Sequence, residues 1–216
     1  YGKNHPRVAT VLNNLSLLMQ ATNRLAEAEP LMRRTLAIDE QSYGPDHPKV
    51  AIALNNLASL LQATNRRIEA ELHYRRALAI DEHSFGPNHP NVAIRLSNLA
   101  SLFLATNRLA EAEPLMRRAL TIDEQSYGVD HPDVARDLNN LGQLLQATNR
   151  LTEAEPVSRR MAEILLNFKR RTGHPHPHLQ AALRSYAGLL RAMGLSDSDV
   201  RQRLNALLAK YGMSLR

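Results

Sequence analysis

The dipeptide His-Pro occurs at His5, His47, His89 and His131, each 42 residues after the last. Three further signals run in phase with it. "LNNLSLL" from Leu12 returns as "LNNLASL" from Leu54, "LSNLASL" from Leu96 and "LNNLGQL" from Leu138. Thr-Asn-Arg recurs at Thr22, Thr64, Thr106 and Thr148, and Glu-Ala-Glu at Glu27, Glu69, Glu111 and Glu153. Four signals held in register over four copies are repeats, and a period of this length marks an array of supersecondary units. One such unit cannot bury its apolar face alone, so neighbours must stack and share a continuous core.

Each unit reads as two helices. The first is expected from about Pro6 to Ala21, with Pro at the start, where its missing N–H costs nothing. Leu12, Leu15 and Met19 fall on one stripe of a 3.6-residue period. Thr22-Asn23-Arg24 makes the turn, with Asn23 expected to cap the second helix. That helix runs from about Leu25 to Tyr43, with Ala28, Met32, Thr35, Leu36 and Ile38 inward and Pro30, Pro114 and Pro156 bending its first turns. Glu29–Arg33, Glu71–Arg75, Glu113–Arg117 and Glu155–Arg159 are ion pairs in the favourable order, about 0.2–0.5 kcal/mol each. Gly44, Gly86 and Gly128 end the helix in a left-handed conformation. The fold class that follows is all-α, a right-handed superhelix of stacked helix hairpins with one concave and one convex face.

On these residues the pattern resembles the tetratricopeptide repeat, and its 42-residue length is similar to the kinesin-light-chain subclass widespread in bacterial proteins. Leu12, Leu15, Ser16, Met19, Ala28, Met32 and Thr35 carry the match, with Ala58, Ala100 and Gly142 at the small position of Ser16. Asn23, Asn65, Asn107 and Asn149 replace the usual turn glycine, and Asn tolerates the same αL geometry. Tyr1-Gly2-Lys3-Asn4 aligns with Tyr43-Gly44-Pro45-Asp46. Residues 1–4 therefore read as the tail of a preceding repeat. Repeats follow at 5–46, 47–88, 89–130 and 131–172, then a divergent fifth repeat and capping helix at 173–216. The resemblance implies a protein-interaction scaffold, one part of a larger multidomain protein.

Composition narrows function further. There is no Cys, which excludes thiolate chemistry and a disulfide framework. No Gly-rich phosphate loop, nucleophile elbow or metalloprotease His-Glu pair is present, so no catalytic residue and no cofactor is expected. The absence of an 18-residue apolar run and of a signal sequence points to a cytoplasmic protein without a membrane partner. Residues 1–158 hold 16 Lys and Arg against 18 Asp and Glu, a net −2; residues 159–216 hold 11 against three, a net +8. That basic end raises nucleic acid as a partner, but Phe168, Tyr186 and Tyr211 are too few aromatics for base stacking.

The binding candidates lie on the first helices, which line the concave face in this family. They are the paired amides Asn13/Asn14, Asn55/Asn56, Ser97/Asn98 and Asn139/Asn140. An amide both donates and accepts, so a ladder of them can hold the backbone of an extended peptide. The resemblance gives Asn14, Asn56 and Asn98 that role; the alternative is that the amides bridge adjacent repeats. Gln20, Gln62 and Gln146 extend the groove floor, and Arg95 and Arg136 supply cationic anchors. The histidines preceding Pro read as helix caps. His174, His176 and His178 lack the Cys or carboxylate that would complete a structural zinc site, so no metal is expected. An exposed apolar side of the first helix offers a rival role, end-to-end self-association in a structural or oligomerising module.

Overall fold

A computed structural model describes residues 2–214, and among them ten helices form in chain order. They are α1 (Pro6–Ala21), α2 (Leu25–Tyr43), α3 (Pro48–Ala63), α4 (Arg67–Phe85), α5 (Pro90–Ala105), α6 (Leu109–Tyr127), α7 (Pro132–Ala147), α8 (Leu151–Thr172), α9 (Leu179–Ala192) and α10 (Asp197–Ala209). Among the described residues there is no strand. Tyr1, where the expected tail of a preceding repeat begins, lies outside the described residues, as do Leu215 and Arg216. The chain divides into two compact units, Tyr1–Thr106 and Asn107–Arg216.

The 42-residue period fixes where each helix starts. His5, His47, His89 and His131 are the N-caps of α1, α3, α5 and α7, and each Nδ1 accepts the backbone N–H two residues on, at 3.1–3.2 Å. The imidazoles of His47, His89 and His131 stack on Tyr43, Phe85 and Tyr127, with centroids 4.6–4.8 Å apart. Those aromatics end the preceding helices, so one ring contact joins successive hairpins. Between them Gly44, Gly86 and Gly128 adopt φ 85–92° with ψ 157–161°. That region is essentially reserved for Gly, and it replaces the αL conformation the sequence suggests.

The turn inside each hairpin corrects one expectation. Asn23 is not the cap of α2; it is itself left-handed, with φ 60°, and Asn65, Asn107 and Asn149 match it at φ 57–64°. Arg24 takes the N-cap position without a side-chain cap bond, and its guanidinium instead grips Glu27 at 2.6–2.8 Å. An Asn side chain that has turned into αL cannot also reach the first free N–H groups. The helices run through Pro30, Pro114 and Pro156 unbroken.

In unit 1, α3 is the most enclosed helix. Val50, Leu54, Leu57, Ala58 and Leu61 are buried between α2 and α4. A second stripe on α1 is open, with Val11 65%, Leu15 40% and Leu18 61% exposed, whereas its counterparts Ala53, Leu57 and Leu60 are buried. In unit 2, α7 to α10 share a core of Leu138, Met161, Leu165, Tyr186, Leu190 and Leu204. At Gly142 a Cβ would meet the Ser158 hydroxyl at 3.2 Å, so repeat four loses bulk on both helices at one approach. Ser196 caps the start of α10, its hydroxyl accepting the Asp199 N–H at 3.2 Å.

Candidate functional site

Equivalent grooves open in the two units, one between α1 and α3 and the other between α7 and α9, three periods apart. The first, about 110 Å³, lies over α2 and is lined by Pro6, Ala9, Thr10, Asn13, Thr35, Asp39, Tyr43, Lys49, Ile52 and Ala53. The second, about 470 Å³, lies over α8, with Pro132, Ala135, Arg136 and Asn139 at the places of Pro6, Ala9, Thr10 and Asn13. Its floor is apolar: Met161 and Leu165 stand where the first groove has Thr35 and Asp39. His176, His178 and Ala181 complete its far wall.

The amides form a ladder whose rungs run between repeats. Asn56 Nδ2 donates to Asn13 Oδ1 and Asn98 Nδ2 to Asn55 Oδ1, both at 2.8 Å. Ser97 is buried, and Asn14 and Asn140 stand beside Asn13 and Asn139 at a long 3.5 Å. The ladder therefore ties α1 to α3 and α3 to α5, while Asn13 and Asn139 also face the two grooves. Gln20 reaches Ser59 on the next first helix at 3.2 Å. Gln62 accepts from the Tyr74 hydroxyl of its own hairpin at 3.3 Å, and Gln146 bonds back to the Gly142 carbonyl.

The two arginines part company. Arg95 is buried, its Nε 2.8 Å from Asp81 Oδ2, so its charge is paired inside the fold. Arg136 is 44% exposed on the rim of the second groove, where it bonds Asp133 at 2.9 Å and Asp123 at 3.1 Å.

A carboxylate that the sequence reading passed over recurs beneath these positions. Asp39, Asp81 and Asp123 are all buried in the second helices, each facing the place of Ala53, Arg95 or Asp137 on the next first helix. Asp81 has its arginine, although its Oδ1 is left without a hydrogen bond. Asp123 has Asp137 within hydrogen-bonding reach; burial and the Asp137 charge push its pKa up to about 7, against the pull of Arg136. Asp39 has neither, and burial raises its pKa despite Lys49 and His47 nearby. The recurrent Ile-Asp-Glu at 38–40, 80–82 and 122–124 was the readable signal.

His176 Nδ1 accepts the His178 N–H, repeating the cap geometry three residues before α9 begins, and its ring lies edge-on to Phe168. Among the described residues no group of three or more His, Asp or Glu could hold a metal ion. The basic end spends part of its charge internally, in Arg160–Glu124 and Arg191–Asp197 pairs and in Arg170 lying over the Tyr211 ring. Among the described residues no helix is long and apolar enough to cross a membrane.

Hairpins repeated in sequence, with grooves between their first helices, define a helical-repeat protein. The tetratricopeptide repeat family model matches residues 7–83, 69–125 and 96–167, and the chain belongs to that family. No curated protein matches it significantly. Two solved structures of a Podosopora anserina putative kinesin light chain with nearly identical TPR-like repeats are similar to it. One, of a substituted form, has TM-score 0.77 and 20% identity, over 96% of this chain and 98% of that one. The other has TM-score 0.76 and 22% identity, over 97% and 99%. BtubC (BKLC) from P. vanneervenii has TM-score 0.79 and 23% identity, over 97% of this chain and 84% of that one. At such identities the likeness is one of fold, that of kinesin-light-chain-like repeats.

Proposed function

We propose that the chain is a cytoplasmic scaffold, part of a larger protein, that binds an extended segment of a protein partner along its first helices by recognition rather than catalysis. The observation that carries this reading is the recurrence of an open groove at the same place in both units, each with a ladder amide on its wall. A peptide lying there would trade backbone hydrogen bonds with the amides, worth roughly 0.5–1.5 kcal/mol net each. Its side chains would enter the groove of the unit it lies on. The test is capture from an array of random octapeptides by the chain and by Ile52→Glu and Ala181→Arg, which alter exposed groove residues. Both variants should keep their melting temperature, and each should lose the peptides held in the groove it alters. Peptides that bind all three proteins equally would refute the groove.

The open stripe of α1 supports a second reading, self-association, because Val11, Leu15 and Leu18 are exposed where Ala53, Leu57 and Leu60 are buried. Sedimentation at increasing concentration should then show growth that Leu18→Glu abolishes. A concentration-independent monomer would discard it.

A further inference from the structure

The carboxylate of Asp39 is 7% exposed, yet it makes no hydrogen bond or ion pair with any described residue, and burial alone already raises its pKa. Its oxygens open into the recess it lines, and a largely enclosed carboxylate there favours a cationic partner. One repeat later the same fold shows what the pairing looks like. Asp81, 42 residues on, is held by the guanidinium of Arg95, which enters from the next first helix at 2.8 Å. At the place of Arg95 the first repeat pair has Ala53. The room that a guanidinium fills in one junction is therefore open in the other. It forms the 110 Å³ recess between α1 and α3. That volume is several times what one water needs.

We propose that this recess is a receptor for an arginine side chain of the bound partner, which would supply in trans what Arg95 supplies in cis. The proposal rests on the groove reading above and gives it a side-chain preference. The walls suit the guest. Thr35 donates its hydroxyl hydrogen to the Leu31 carbonyl, and Thr10 donates to that of Pro6, so both oxygens keep lone pairs for guanidinium N–H groups. Tyr43, whose ring is stacked on His47, and Ile52 offer apolar surface to the arginine stem. Arginine is favoured over lysine because its planar fork meets a carboxylate through two donors and sheds its hydration more easily. Lys49 stands on the rim and His47 behind it; their field disfavours any cation that cannot make those directed bonds. The second groove, with Leu165 in place of Asp39, has no such preference and suits an apolar side chain.

The experiment titrates the isotope-labelled chain with acetyl-Ala-Ala-Arg-Ala-Ala-amide and with its citrulline counterpart, which keeps the shape and loses the charge. Backbone signals of Thr10 and Ala53 report the recess, and those of Asn56 and Asn98 report the amide ladder. We expect the arginine peptide to bind about tenfold more tightly than the citrulline one, as a charge-assisted pair requires. Asp39→Asn should remove that preference and leave the response of the amide ladder unchanged. Ala53→Arg should close the recess and abolish its response. Equal binding of both peptides with signals moving at Asn56 would overturn the arginine receptor and leave the groove standing. An arginine-specific response at Thr10 and Ala53 with the ladder unmoved would keep the receptor and overturn the groove. No response to either peptide up to about 10 mM would overturn both.

Discussion

The carboxyl pair Asp123–Asp137 makes a pH dependence that runs opposite to the usual acid denaturation. Asp123 is 1% exposed and Asp137 2%, and with the Arg136 charge shared among three carboxylates the pair is most stable holding one proton. The pKa of Asp123 rises from 3.8 to about 7 on folding. The native state therefore binds a proton that the unfolded chain has already released, and stability falls as pH rises between those two values. Below about pH 4 the contribution is fully present; above about pH 7 it is gone. At about 1.36 kcal/mol per pH unit, the part lost between pH 5 and pH 8 is about 3 kcal/mol. For a chain of this size that is roughly 6–12 °C in melting temperature. Asp137→Asn replaces the second carboxylate by an amide that can donate to Asp123 without a shared proton. Thermal melts of both proteins at half-unit steps from about pH 5 to pH 8 should show the wild-type midpoint falling relative to the variant. His73, His176 and the surface carboxylates are common to both and cancel in the difference. Parallel profiles would refute the reasoning.

Three further outcomes follow from named contacts. Arg95→Leu leaves Asp81 buried without its ion pair and should cost about 3–5 kcal/mol in urea unfolding, with most of the loss restored by adding Asp81→Leu. Asn65→Ala puts at φ 64° a residue lacking the local hydrogen bonding by which Asn tolerates αL. It should cost about 1–2 kcal/mol, while Asn65→Gly should be near neutral; equal losses would show that the amide, not the backbone, is needed. His89→Ala removes both the Asn91 cap bond and the stack on Phe85. Thermal melting should register a loss of roughly 0.5–2 kcal/mol.

Periodicity made the helices legible to the residue: Pro6–Ala21 and Leu25–Tyr43 are where the repeated punctuation places them, because four copies of each boundary leave little freedom. The groove was less legible. Asn13 and Asn56 read as ligand-facing amides, and their bond to each other depends on how far α3 is displaced from α1, which no single helix encodes. Arg95 read as an anchor because its burial is decided by Asp81, fourteen residues back on another helix. Asp39 is silent in the sequence because an Asp in a charged helix resembles solvated surface; only its register against Ala53 shows that it is enclosed.

The arginines of two turns have a consequence for how the array comes apart. Arg66 bonds both Glu69 in its own hairpin and Glu29 in the preceding one, and Arg150 does the same with Glu153 and Glu113, all at 2.6–2.7 Å. Arg150 holds Glu113 below the usual carboxylate range. In a one-dimensional stack, such bonds add to the coupling between neighbours rather than to the stability of either hairpin. Salt screens exposed pairs of this kind. Added salt should therefore blunt the sharpness of unfolding more than its midpoint, letting hairpins melt one by one where they would otherwise leave together.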